Sequence, residues 1–337
     1  MELTRASKEL FARSPDERYE SLGSLWEYCR QKKDKSTDRW HAPHEIRTAA
    51  NGNLRLDIGE DSFYMNDWSF SQLCRLAGVA KDTVNRLSPS TADQVFKETL
   101  PRSGNKPLQL LTDDNGVRSL HGTAYTRLWD ADLVMTIREF AVDFQPPQKG
   151  FNGATGLYAG EQDMFCFLID PNGWCEIDGE AFAPGFFIWN SEVGRRSLGI
   201  ETFWFQSVCA NHIVWDATEV ISWKRKHTAS ISEGLTDIRR ILTQLIDKRD
   251  ERKDGFYKAV KKAMESTVAD ADEAMKLISK GGINRSLAKK ALEIAQEKGR
   301  FSIWSIVDAL TQLSREMENV GDRTDADQKA AGLLALV

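Results

Sequence analysis

Alternating apolar and polar positions predict two β-hairpins in the first half of the chain. Residues 54–58 alternate with a period of two, and a glycine-containing turn separates them from the β-prone residues 62–65. Residues 107–112 and 117–125 are also β-prone and flank an Asn-Gly pair, which is a strong hairpin signal.

Helical spacing predicts short helices on either side of the second hairpin. Residues 69–100 carry apolar positions three and four apart, with Gly78 between two short helices and Pro89 ending the second. Residues 129–142 show the same spacing, and Asp130 is in position to cap the N-terminus of that helix.

The middle of the chain is rich in β-prone residues, and the region after it is helical. The β-prone runs are residues 162–169, 185–189, 199–205 and 211–215. From about residue 230 to residue 313 the apolar positions follow helical stripes. We therefore predict an α+β fold: a central, mainly antiparallel sheet, an N-terminal helical hairpin region and a C-terminal helical bundle.

Four regions follow from these patterns. We predict a polar helical or partly mobile arm over residues 1–44, an α+β core containing the antiparallel sheet over residues 45–227, a helical region over residues 228–318 and a tail over residues 319–337. The boundaries do not have the composition of flexible linkers, so we expect the regions to pack closely.

Composition restricts the cellular setting. No apolar run approaches the roughly 20 residues needed to cross a bilayer, and the first residues lack the apolar stretch of a secretory signal. Five scattered cysteines, an odd number, do not form a disulfide framework. We therefore expect a cytoplasmic protein in a reducing compartment, with no membrane partner.

The net charge of -5 conceals a basic region. Residues 224–290 contain 17 Lys or Arg against 10 Asp or Glu, so the rest of the chain is strongly acidic. Such a division favours a surface that faces a polyanion. The alternative is a set of solvated helices carrying charge pairs three and four residues apart.

Residues 71–87 have the spacing of a helix-turn-helix, with glycine at the turn. On the second helix, Lys81 and Arg86 would then face outward, where they could meet phosphates or base edges. The alternative is an ordinary helical hairpin that packs its apolar stripe on a core.

Catalytic and cofactor motifs do not stand out. Cys209 and His212 have the spacing of half a zinc site, but a structural zinc site usually needs two close pairs. The glycine-dense residues 150–160 lack the Gly-Lys-Ser/Thr ending of a phosphate-binding loop. We therefore expect no cofactor and no metal, and a binding protein rather than an enzyme. A nuclease using scattered carboxylates and Mg²⁺ is an alternative.

A segment rich in arginine and aromatic residues stands out between residues 189 and 215. Sheets that carry exposed rings beside cations bind single strands, because rings stack on bases and cations follow phosphates. We predict one nucleic-acid-binding groove lined by Arg195, Arg196, Lys224, Arg225, Lys226 and His227. Further candidate nucleic-acid-binding residues are Asn211, Lys81 and Arg86. The alternative is that Trp189, Phe203, Phe205 and Trp215 fill a core and the cations lie at its rim.

The order of several short motifs resembles a family of uncharacterised phage/plasmid-like proteins. The motifs are Cys74-Arg-Leu-Ala-Gly78, Asn190-Ser-Glu-Val-Gly194 with Ser197, Cys209-Ala-Asn211, Arg225-Lys-His-Thr228 and Trp304-Ser-Ile-Val-Asp-Ala-Leu-Thr311. The resemblance covers roughly residues 50 to 335 and implies an origin on a mobile genetic element and an intracellular setting. It implies no catalytic residues. His212 and Ile213 follow the Cys-Ala-Asn motif, where the family has a glycine and an aliphatic residue.

These observations lead to a functional hypothesis with two alternatives. We expect a nucleic-acid-binding protein, for single-stranded DNA, that serves recombination or replication of phage or plasmid DNA. One alternative is an interaction protein that binds a host factor, as in counter-defence, through the helical C-terminal region. The other is the metal-dependent nuclease. Annealing proteins often form rings, so by analogy we also expect a homo-oligomer.

Overall fold

The computed structural model describes residues 16–51, 53–147, 156–206, 212–215, 222–268, 270–297, 301–314 and 316–334. The helices within these ranges are α1 (Leu22–Asp34), α2 (Asp67–Ala77), α3 (Lys81–Asn85), α4 (Pro89–Thr99), α5 (Asp130–Phe140), α6 (Glu233–Asp247), α7 (Arg249–Glu265), α8 (Ala271–Lys280), α9 (Arg285–Glu297), α10 (Ile303–Ser314) and α11 (Val320–Ala331). The strands are β1 (Glu17–Arg18), β2 (Thr37–His41), β3 (Ile46–Asn51), β4 (Asn53–Ile58), β5 (Asp61–Met65), β6 (Leu108–Asp113), β7 (Gly116–Gly122), β8 (Leu157–Ala159), β9 (Met164–Ile169), β10 (Cys175–Ile177), β11 (Glu180–Asn190), β12 (Leu198–Gln206), β13 (His212–Trp215) and β14 (Ser222–Arg225). The fold is α+β, as predicted.

The strands form two mainly antiparallel sheets. The larger sheet has the order β1-β8-β9-β11-β12-β13, with β10 paired to β11 and β14 paired to β12. The smaller sheet has the order β2-β6-β7-β5-β4-β3, and its β5–β7 pair is parallel. Both predicted hairpins are confirmed as β4–β5 and β6–β7. Because β5 pairs with β7, these hairpins make a sheet of their own instead of extending the larger one.

The smaller sheet buries one face beneath α2 and α4. Phe70 of α2 and Phe96 of α4 are fully buried, with ring centroids 6.2 Å apart, and pack with Leu56 of β4. Gly78 ends α2 in the left-handed region at φ 69°, where a glycine carries no Cβ penalty. The sequence predicted that Pro89 ends a helix, and this prediction is wrong. Pro89 is instead the first residue of α4, a position that suits its missing N–H.

The larger sheet is buried on both faces. Side chains alternate along β11, so that Phe186 and Ile188 pack with α1, α5 and α6. The intervening Phe187 and Trp189 point the other way, into an aromatic cluster that includes Phe203. This alternation explains why β11 reads as one continuous apolar run.

The C-terminal helices α7 to α10 pack as a bundle against the end of the larger sheet. Trp204 of β12 and Phe256 of α7 are fully buried and stack with ring centroids 4.1 Å apart and an interplanar angle of 8°. Among the described residues, no helix is long and apolar enough to span a membrane.

Both ends of the described chain belong to the folded body. Leu25 and Cys29 of α1 are buried in the core, although the sequence predicted an arm there. Residues 320–331, which the sequence left as a tail, form α11. The Val320 amide that begins α11 donates a hydrogen bond of 3.1 Å to Asp16. The first and last described segments therefore contact each other.

Asp130 is the first residue of α5 and does not cap it. The N-cap position is occupied by Trp129, whose side chain makes no capping hydrogen bond. The Asp130 carboxylate instead accepts a hydrogen bond of 2.7 Å from the Asn190 side chain. Asp130 therefore bonds to a residue distant in the sequence, Asn190, instead of capping its own helix as the local sequence suggests.

Candidate functional site

The two sheets meet at residues 191–196, which we call the junction loop. This loop follows the end of β11 and contacts elements of both sheets. The Trp68 indole N–H at the start of α2 donates to the Val193 carbonyl at 2.7 Å. Ser191 Oγ donates to the Gln162 carbonyl at 2.6 Å and accepts from the Arg195 amide at 2.9 Å. These bonds fix the loop backbone from both sides.

A buried ion pair anchors the loop to the smaller sheet. Arg118 of β7 donates to the Glu192 carboxylate at 2.6 Å, and the two side chains are only 5% and 1% exposed. The other oxygen of Glu192 accepts the Asp130 amide at 3.0 Å. Burial disfavours both charges, but each partner outweighs it, so the pKa of Glu192 is lowered and that of Arg118 is raised.

Two further ionisable groups complete this buried cluster. Burial and the neighbouring Glu192 charge raise the pKa of Asp130 to about 8. Burial of the Lys32 amine, with the nearby Arg118 charge, lowers the pKa of Lys32, and the amine donates to the Gly160 carbonyl at 2.7 Å. The cluster thus holds the loop in place through internally compensated charges.

Three stacked rings lie beside the loop. Tyr125 stacks between His121, at a centroid distance of 3.7 Å, and His227, at 5.4 Å. The Tyr125 hydroxyl donates to the Glu192 carbonyl at 2.8 Å. Gly194 adopts φ 71°, and a Cβ there would lie 2.6 Å from the His121 ring. Only glycine fits this turn of the loop without displacing the ring.

The stacked histidines should make stability depend on pH. Burial lowers the pKa of His121 to about 3 and that of His227 to about 4. In the unfolded chain both rings take up protons near pH 6.5, while the folded protein keeps them neutral. We therefore expect the free energy of unfolding to fall as the pH drops from about 6.5 to about 4. Urea unfolding at several pH values measures this decline.

The variant His227→Phe isolates the histidine effect from the opposing titration of Asp130. Asp130 takes up its proton in the folded state, so it stabilises the protein as the pH falls from about 8. Asp130 contributes equally in the unmodified protein and in His227→Phe. The difference between their pH dependences of the free energy of unfolding therefore reports the titration of His227. We expect a shallower decline in the variant. The matched control His44→Phe changes an exposed ring and should keep the full decline; equal slopes in all three proteins would contradict the assignment.

Two of the sequence-predicted cations meet at the start of α2. Arg195 is exposed and its guanidinium lies 5.6 Å from the centroid of the Trp68 ring. Lys81 pairs with Asp67, the residue before Trp68. Arg195 itself makes no ion pair with a described residue. The helical hairpin and the junction loop therefore supply cations to the same corner.

Lys226 and Arg86 are also exposed, and neither pairs with a carboxylate in the part of the chain that the structure describes. Lys226 precedes His227, whose ring is buried in the stack and neutral. Arg86 follows α3, a helix of only five residues. Such a helix rises about 7.5 Å, which is short for reading a groove. Residues 71–87 do form two helices, as predicted, but the short second helix favours the alternative of a packed helical hairpin.

The remaining predicted cations point elsewhere. Arg196 forms ion pairs with Asp325 at 3.1 Å and Asp163 at 3.7 Å. Lys224 pairs with Glu201 at 2.8 Å. Arg225, the next residue along β14, points to the opposite face of the sheet.

There Arg225 pairs with Glu233 at 3.0 Å and Asp237 at 2.8 Å, both of α6. The described cations therefore do not assemble into the one groove that the sequence predicted. Asn211 lies outside the described residues.

The aromatic residues of the segment fill the core. Trp189, Phe203 and Phe205 are buried, which confirms the alternative for these three rings. The side chain of Trp215 is not among the described ones. The rings that do lie beside cations, Trp68 and Tyr125, were missed by sequence reasoning. Gly194 was the available signal, because a glycine between a buried strand and two arginines marks a tight turn.

Metal binding and similarity to known proteins add no further assignment. Within the described ranges, no group of three or more His, Cys, Asp or Glu side chains is arranged to hold a metal ion. Comparison of the chain with protein families, with curated proteins and with solved structures finds no match.

Proposed function

We propose that the protein binds nucleic acid, with a preference for single strands, at the surface around the junction loop. The observation that carries this proposal is the exposed Arg195 guanidinium over the Trp68 ring, without a carboxylate partner among the described residues. Lys226, which precedes His227 of the ring stack, is an exposed second cation with no carboxylate partner among the described residues. Both would contact phosphates.

The rigidity of the loop supports this role. A binding surface that is already ordered loses less conformational entropy when a ligand binds. The Arg118–Glu192 pair and the Trp68–Val193 hydrogen bond fix the backbone that presents Arg195. The cation is therefore presented in the unbound protein in a defined position.

The neighbouring rings favour a single strand over a duplex. Bases of an unpaired strand can stack on aromatic faces, whereas bases in a duplex are stacked on each other. Trp68 is partly exposed and lies beside Arg195, whereas both faces of the Tyr125 ring are covered by the stacked histidines, so Trp68 is the ring of this surface that can offer a face to a base. Short α3 offers little reach into a groove. We therefore assign Arg86 a peripheral phosphate contact, whereas Lys81 is held in its ion pair with Asp67.

Fluorescence anisotropy tests the proposal with labelled single- and double-stranded oligonucleotides at several salt concentrations. Phosphate contacts predict that log K falls linearly with log salt concentration. We expect the double variant Arg195→Ala/Lys226→Ala to bind more weakly on all sequences, with a slope shallower by about two.

The double variant Lys289→Ala/Lys290→Ala is the matched control. It removes the same charge from an exposed part of α9 and should keep the slope of the unmodified protein. Equal slopes in both double variants, or no binding at low salt, would contradict the proposal. Adding Mg²⁺ and running the oligonucleotides on a gel tests the nuclease alternative in the same samples.

A further inference from the structure

A small cavity lies between the larger sheet and α11, and Arg196, the last residue of the junction loop, lines it. Its volume is about 160 Å³. This space equals about five water molecules at the density of the liquid. Phe187 and Trp189 of β11 form its floor, and Arg196, Lys224, Asp325 and other polar side chains form its walls.

Two cations face this cavity from different elements. Arg196 precedes β12 and Lys224 belongs to β14, and the Lys224 amine lies 5.4 Å from the centroid of the Trp189 ring. The Ser197 hydroxyl lines the same wall. A guanidinium, an ammonium and a hydroxyl are the groups that proteins use to hold phosphate.

The acids that pair with these two cations differ in how firmly they are held. Asp163, 3.7 Å from Arg196 Nε, is fully buried and stays with Arg196. Glu201 is almost fully buried and accepts hydrogen bonds from Lys224, from Ser222 at 2.9 Å and from Gln328. Asp325 is 51% exposed and contacts Arg196 through two bonds of 3.1 and 3.3 Å. Ion pairs with an exposed partner contribute little free energy, so the Asp325 carboxylate is replaceable.

We propose that this cavity binds the phosphate group of a phosphate monoester, which replaces the Asp325 carboxylate on Arg196. The Asp325 pair has the two-pronged geometry in which a guanidinium binds carboxylates and phosphates alike. Asp325 therefore occupies the position of the ligand anion in the unbound protein. Lys224 supplies the second positive charge, and the ring floor accepts the apolar part attached to the phosphate.

The phosphate could belong to a free nucleotide or to the 5′ end of a strand. Titrating inorganic phosphate, AMP and adenosine by isothermal calorimetry tests the chemistry without any oligonucleotide. We expect phosphate and AMP to bind and adenosine not to bind. A preference for a 5′-phosphorylated oligonucleotide over its 5′-hydroxyl form would identify a strand end as the source; AMP binding without that preference would identify a free nucleotide.

Two variants at the cavity make opposite predictions. Asp325→Asn removes the competing carboxylate and should tighten phosphate and AMP binding by about three- to tenfold. Arg196→Gln removes the guanidinium and should weaken AMP binding by tenfold or more. Asp254→Asn makes the same charge change at an exposed site on α7 and should leave the affinity unchanged.

Circular dichroism melting of each variant shows whether α11 remains folded. In folded variants, unchanged AMP affinity after Arg196→Gln would overturn the proposal. Failure of Asp325→Asn to bind phosphate or AMP would overturn it as well. Asp325→Asn and Asp254→Asn leave the junction loop unchanged, so the binding of unphosphorylated oligonucleotides by these two variants reports separately on the proposed function, on which the phosphate proposal does not depend.

Discussion

Replacing Glu192 with Gln is expected to lower the free energy of unfolding by about 3–5 kcal/mol, because it leaves a buried Arg118 charge without its partner. Arg118 is only 5% exposed, and the acid that remains beside it, Asp113, lies farther away, at 3.9 Å. Asp130, relieved of the neighbouring charge and holding its hydrogen bond from Asn190, becomes easier to ionise and offsets part of the loss. Urea unfolding at neutral pH measures the loss.

Two further variants separate this effect from a general effect of removing charge. Glu27→Gln removes a carboxylate from an exposed pair with Arg30 and should change stability little. Replacing both members of the buried pair, as Arg118→Met/Glu192→Met, should recover much of the loss, since an apolar pair leaves no unpaired charge. A Glu192→Gln protein as stable as the Glu27→Gln protein would show that the pair does not anchor the loop.

Trp204→Ala is expected to destabilise the protein by about 3–5 kcal/mol. The Trp204 ring is fully buried and stacks on Phe256, so its loss opens a cavity where the larger sheet meets the C-terminal bundle. Thermal and urea unfolding followed by circular dichroism measure the change. Because the cavity lies between two parts of the fold, we also expect the helical signal of α7 to be lost earlier in the transition.

Trp174→Ala is the matched control for this substitution. Trp174 is 37% exposed and makes an edge contact with Phe205, so its removal leaves no closed cavity. We expect a clearly smaller loss of stability. If the two tryptophan variants unfold at the same urea concentration, the Trp204–Phe256 contact does not hold the bundle on the sheet.

Local patterns predicted most elements of the fold. The β4–β5 and β6–β7 hairpins follow from period-two spacing and turn residues that are neighbours in the sequence. The C-terminal helices follow from stripes three and four residues apart. Two local signals, however, were overridden. Asp130 bonds to Asn190, 60 residues away, and a proline that can end one helix can equally begin another.

The candidate site was harder to predict because ion pairs join residues far apart in the sequence. Arg196 and Asp325 are 129 residues apart, so no local pattern shows that this cation is already paired. The opposite directions of Lys224 and Arg225 do follow from strand alternation. Applying this alternation requires knowing that residues 222–225 form a strand. The sequence did not predict that strand, because the residues beside it show no clear β pattern.

The contact between Asp16 and Val320 has a consequence for how the chain is made. The two residues are 304 positions apart, and synthesis proceeds from the N-terminus. A nascent chain on the ribosome exposes Asp16 long before Val320 has been translated. This contact therefore cannot form until Val320 has emerged from the ribosome, after every element between the two residues has been synthesised.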